Sequence, residues 1–127
     1  MAEGKFACAI NCMDGRTQEP VIKWFKEKYG VDYVDAVTEP GPLKHLAEGN
    51  PITTETMRER VGISVNGHGS KIVALIGHDD CAGNPVSKSE QLEQMDVALD
   101  IVRSWGFNAQ VIGIYVNSNI DVEVVRE

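Results

Sequence analysis

Lys71-Ile72-Val73-Ala74-Leu75-Ile76-Gly77 (KIVALIG) is almost uninterruptedly apolar and runs straight into His78-Asp79-Asp80-Cys81. A strand without polar alternation is covered on both faces, which is the environment inside a parallel sheet layered by helices. The neighbouring segments agree with that setting. Lys5 to Cys12 reads as a strand, and Val31 to Thr38 as a second one ended by the turn-forming Glu39-Pro40-Gly41-Pro42. With Lys71 to Gly77 as the third strand, Ala109 to Val116 forms a fourth. Asn117-Ser118-Asn119 then turns the chain into Ile120-Val122-Val124, whose alternation suits a half-exposed edge strand.

Helical periodicity fills the intervals. Between Glu19 and Tyr29, Val21, Phe25 and Tyr29 fall four apart, Ile22 broadens the stripe, Thr17 is the expected N-cap and Gly30 the stop. Pro42 to Glu48 predicts a short helix stopped by Gly49. Another begins near Thr53 or Thr54, buries Met57, Val61 and Val65, and ends at Asn66-Gly67-His68-Gly69. Ser89 to Trp105 carries Leu92, Met95, Leu99 and Val102 in a 3-4-3 spacing closed by Gly106. Alternating strands and helices predict an α/β fold with right-handed crossovers and helices on both faces of a mainly parallel sheet. The expected strand order is 2-1-3-4, with an antiparallel edge strand at the C-terminal end.

The 127 residues suggest one domain, 1–127, with a core large enough to stand without disulfides. A net charge of −7 with no Lys/Arg cluster argues against nucleic acid and anionic membranes as partners. The N-terminal stretch lacks the pattern of a signal peptide, and no apolar run reaches the roughly 20 residues that cross a bilayer. Three cysteines are an odd number for a secreted disulfide framework, so reduced thiols and a cytoplasmic location are expected.

In open parallel sheets, ligands collect beyond the C-terminal strand ends where the winding reverses. With order 2-1-3-4, that crevice lies between strands one and three. Cys12 ends strand one within Cys12-Met13-Asp14-Gly15-Arg16 (CMDGR), while His78 and Cys81 follow strand three. Two thiols and an imidazole form a nitrogen–sulfur set suited to zinc at roughly 2.0–2.3 Å per bond. A fourth position is left for water or a carboxylate. Asp14 is close enough in sequence to be that fourth ligand, and Arg16 offers a planar fork that can hold the same carboxylate instead. Paired with Arg16, Asp14 leaves the metal open and can accept a hydrogen bond there; swung onto the metal, it blocks the site. Cys8 shares the strand face of Cys12 but stands roughly 13 Å behind it, and is expected in the core. His45 and His68 are expected to be solvated, with His68 a proton shuttle only if its glycine turn folds toward the site.

Cys-x-Asp-x-Arg at the end of strand one, followed by His-x-x-Cys after a buried strand, resembles the β-class carbonic anhydrases over nearly the whole chain. The resemblance implies one Zn2+ per chain held by Cys12, His78 and Cys81 and an Asp14–Arg16 dyad. It further implies reversible hydration of carbon dioxide to bicarbonate by a zinc-bound hydroxide, in a homodimer or higher homo-oligomer. Three features depart from the family pattern. The chain enters its first strand without the usual N-terminal helices; Thr38-Glu39-Pro40-Gly41 replaces Arg-Asn-Ala-Gly; and Ala82, not glycine, follows the last expected ligand. Two alternatives stand beside hydration: hydrolysis of carbonyl sulfide or carbon disulfide, and zinc binding without catalysis.

Overall fold

The computed structural model describes residues 2–127. Five strands, β1 (Phe6–Cys12), β2 (Tyr33–Glu39), β3 (Ile72–His78), β4 (Gln110–Val116) and β5 (Val122–Arg126), form one sheet in the order β2-β1-β3-β4-β5. All neighbours are parallel except β4 and β5, which are antiparallel. Fold class, strand order and the antiparallel edge are as the sequence predicts. The alternation expected along β5 is broken once: Gly113 pairs with Arg126 and Ile114 with Val124, leaving Val125 as an extra residue.

Helices cover both faces. On one, α2 (Pro42–Glu48), α3 (Pro51–Gly62) and α4 (Lys88–Ser104) enclose Cys8, Ile10, Val73 and Leu75 with Leu46, Met57, Val61, Met95 and Leu99. On the other, α1 (Gln18–Tyr29) lays Val21 and Phe25 over Ala7, Ala9, Ala74 and Ile76. The small alanines let α1 approach closely, and Phe25 is fully buried in the space they leave. Removing its ring would cost about 3–5 kcal/mol.

Helix boundaries depart from the sequence expectation where caps decide them. α3 begins at Pro51, two to three residues early, because the Asn50 side chain accepts from Thr53 N at 3.1 Å and proline is tolerated in a first turn. α4 begins at Lys88 because Ser87 accepts from Glu90 N. Thr17 precedes α1 but makes no side-chain cap; its hydroxyl donates to Asp14 O within a 3-10 turn, Gly15–Thr17, that Asp14 itself caps. Ile22 does not widen the buried stripe of α1, for it is 38% exposed. Beyond α3 the chain widens into a π-helical turn, Ile63–Gly67.

Candidate metal centre

β1 and β3 run side by side only from Cys8↔Val73 to Ile10↔Leu75, then separate. The separation opens the expected crevice, with Cys12 at one lip and His78 at the other. Their side chains approach from different layers. Cys12 continues the Cys8–Ile10 face toward α2–α4, whereas His78 continues the Ala74–Ile76 face toward α1. They converge beyond the strand ends, where Cys81 joins them. The three side chains are buried, and their ligand atoms lie within 4.8 Å of one another.

The spacing of these groups fits a tetrahedral metal ion such as zinc. Two sulfurs each about 2.3 Å from one tetrahedral ion stand about 3.8 Å apart; Cys12 Sγ and Cys81 Sγ are separated by 3.9 Å. His78 Nδ1 lies 2.7 Å from Asp79 O. A carbonyl only accepts, so Nδ1 carries the proton and Nε2 presents a bare lone pair. That Nε2 is buried and has no hydrogen-bond partner. Burial, and then the neighbouring Cys12, push the Cys81 thiol above its ordinary pKa. An orphaned buried nitrogen is costly, and a cation shared with the two sulfurs would satisfy it. The residues present fit the ion.

The carbonyl that orients His78 is itself held in place. Asp79 Oδ1 accepts from Tyr115 Oη at 2.6 Å, and Oδ2 accepts from Ser118 N and Oγ. Those bonds hold the Asp79 carboxyl below its ordinary pKa, while burial, and then the bond to Asp79, push the Tyr115 phenol up.

Asp14 stands apart from the three ligand groups and is paired with Arg16. Arg16 Nε donates to Oδ1 at 3.0 Å and Nη2 to Oδ2 at 2.6 Å, a two-pronged fork reinforced by Arg16 N to Oδ1 at 2.9 Å. These bonds hold the Asp14 carboxyl well below the usual carboxylate range and push the Arg16 guanidinium up. Sequence reading missed two supports of this turn. Arg16 also donates to Asp80 O and Oδ2, which a left-handed backbone at Asp80 (φ 54°) brings within reach. Gln18 Nε2 ties Cys12 O to Asp14 O. The available signals were an acidic side chain within the second motif and a glutamine two residues after the first. Beside His78, a cavity of about 120 Å³ is bounded by Arg16, Thr17, Val116 and Ile120.

The remaining candidates lie elsewhere. Cys8 is fully buried in the core, and its thiol is pushed up to about 12 by burial. His68 is not a shuttle: its Nδ1 is 2.7 Å from Asp35 Oδ2 and its ring stacks on Phe6 at 4.3 Å, at the start of β1. Six residues of strand, about 20 Å, separate Phe6 from Cys12. His45 is half-buried rather than solvated, with Nδ1 enclosed and unpartnered.

A family model described as "Putative carbonic anhydrase" matches residues 2–126. The chain belongs to that family. Among solved structures, the β-carbonic anhydrase CafA of the fungal pathogen Aspergillus fumigatus is similar at a TM-score of 0.55 and 12% identity. The alignment covers 95% of this chain and 74% of that one, a likeness of fold. No curated protein sequence matches this chain. Among the described residues, no helix is long and apolar enough to cross a membrane.

Proposed function

We propose that this chain catalyses the reversible hydration of carbon dioxide to bicarbonate, with one zinc ion held by Cys12 Sγ, His78 Nε2 and Cys81 Sγ. The observation that carries the reading is the bare, buried Nε2 beside two sulfurs at tetrahedral spacing, with an Arg-held carboxylate two residues from Cys12. Bound there, zinc supplies the Lewis acidity that turns water into a nucleophile near neutral pH.

The chain's own groups do the rest. Asp14 stays ionised and acceptor-only, because Arg16 donates to both of its oxygens. Its carboxylate is thereby available to take a hydrogen bond from water in the site and to orient a lone pair toward substrate. Arg16 keeps Asp14 off the metal, and Asp80 keeps Arg16 in place. Asp79 O fixes the proton of His78 on Nδ1. With this reading we propose a homodimer or higher homo-oligomer, one domain over residues 1–127, and a cytoplasmic location.

Metal analysis and stopped-flow hydration with a pH indicator test it together. The expected result is one zinc per chain with hydration well above the buffer rate. Asp14→Asn should keep the zinc and lose about 10²–10⁴ in rate, the usual weight of a positioned proton-handling group. One zinc per chain with hydration no faster than buffer would remove the catalytic reading and leave a zinc-binding protein.

A further inference from the structure

We infer that Gln91 is a positioning residue for the metal ligand His78, acting as a stand-in for the missing strand at the crevice. The inference rests on the metal reading above.

A strand residue turns its N–H and C=O to the same side, alternating between neighbours along the chain. On the β4 side it is Asp79 that bonds, its N–H meeting Val116 O at 3.0 Å. Both polar groups of His78 therefore face β1. There is no strand there to receive them, since β1 pairs with β3 only as far as Ile10↔Leu75. Gln91 fills the gap from α4: His78 N donates to Oε1 at 3.2 Å, and Nε2 donates to His78 O at 2.8 Å. A primary amide offers the donor and acceptor that a neighbouring peptide group would have offered. The crevice needs the strands apart, and Gln91 lets them part without leaving the ligand's backbone unpaired.

Two further observations fit this role and no simpler one. Gln91 is 2% exposed and shares the inward face of α4 with Met95, Ala98 and Val102, a place for an apolar side chain. Its amide makes no other hydrogen bond among the described residues. The path to His78 also exists only because Gly77 has no side chain: a Cβ there would lie 2.9 Å from Gln91 Oε1, 3.0 Å from Tyr115 Cδ2 and 3.1 Å from Leu43 Cδ1. With Asp79 O holding Nδ1 and Gln91 holding the backbone, the ring has one direction left for Nε2. Groups that orient a ligand in this way are commonly worth 10- to 100-fold in metal affinity.

The test is Gln91→Met, which keeps the length and burial but neither hydrogen bond. Zinc affinity is measured by competition with a chromophoric chelator, and site geometry by the visible spectrum of the cobalt(II) form. Phe25→Leu, under α1 on the opposite face, is the control for general destabilisation. Gln91→Met should bind zinc at least 10-fold more weakly and shift the cobalt bands, while Phe25→Leu leaves both unchanged. Parent-like affinity and spectrum in Gln91→Met would overturn the proposal and leave the metal reading intact. A parent protein that takes up no zinc would remove both. Should Gln91→Met not fold, NMR of the parent decides: the Gln91 side-chain amide signals must move when zinc is added, and unmoved signals overturn the inference.

Discussion

Replacing Gly41 with alanine isolates what the loop beside Cys81 is built on. Gly41 sits at φ 60°, and a Cβ there would meet Asn84 Cβ at 2.7 Å, Gly83 O at 2.8 Å and Gly83 C at 2.9 Å. The contact is mutual, because a Cβ on Gly83 would lie 2.7 Å from Pro40 C. Two independent costs follow. Left-handed backbone costs a residue with a Cβ about 1–2 kcal/mol. Forcing an extra carbon into a filled space costs about 1–3 kcal/mol. Their sum is about 2–5 kcal/mol, a large share of the roughly 5–15 kcal/mol that holds such a domain together. Gly30 provides the reference, since it has φ 64° and nothing within 4 Å of its absent Cβ. Gly30→Ala should cost only the backbone component, about 1–2 kcal/mol. Urea unfolding of both variants and the parent, all metal-free and followed by tryptophan fluorescence, reads the difference. With a slope of roughly 2 kcal/mol per molar, Gly41→Ala should lower the midpoint by about 1–2.5 M. If Gly41→Ala loses no more than Gly30→Ala, the two loops are not packed backbone against backbone and the reasoning fails.

Three further outcomes follow from particular contacts. Cys8 is a neutral thiol in the fold up to about pH 12 but ionises near 9 once unfolded, so its contribution is whole below pH 9 and is lost as pH rises toward 12. Raising the pH from 8 to 10.5 should therefore cost the parent about 2 kcal/mol more than it costs Cys8→Ala in urea unfolding, and equal losses would refute the burial argument. Arg16→Lys replaces the two-pronged hold on Asp14 with a single point charge, and should lower hydration at least 10-fold at unchanged zinc content. Tyr115→Phe removes the donor to Asp79 Oδ1 and should cost about 1.5–3 kcal/mol in thermal or urea unfolding, as expected of a hydrogen bond to a charged group.

Much of this was legible in the residues because it depends on short-range pattern. An apolar run such as Ile72 to Ile76 states its own burial, and the alternation of strands with helices states a mainly parallel sheet, of which the order 2-1-3-4 is one of several windings. The meeting of Cys12 with His78 and Cys81 follows from that order, since neighbouring parallel strands end side by side. What was not legible depends on pairs brought together only by folding. The start of α3 lay in Asn50-Pro51, yet the two threonines that follow offered equally plausible caps. His68 is held by Asp35 on β2, a partner 33 residues away that no local pattern announces. Gln91 looks like a surface residue beside Leu92 until the helix is turned by its packing, whereupon the amide faces inward and Leu92 lies at the margin.

The antiparallel run of β5 has a practical consequence. Because the last strand doubles back along β4, Arg126 ends level with Gly113 rather than beside Val116. The N-terminal end of β1 at Phe6 and the C-terminal end of β5 at Arg126 both lie back from the rim where Cys12 and His78 stand. A tether joined at either of those strand ends would leave that rim turned outward.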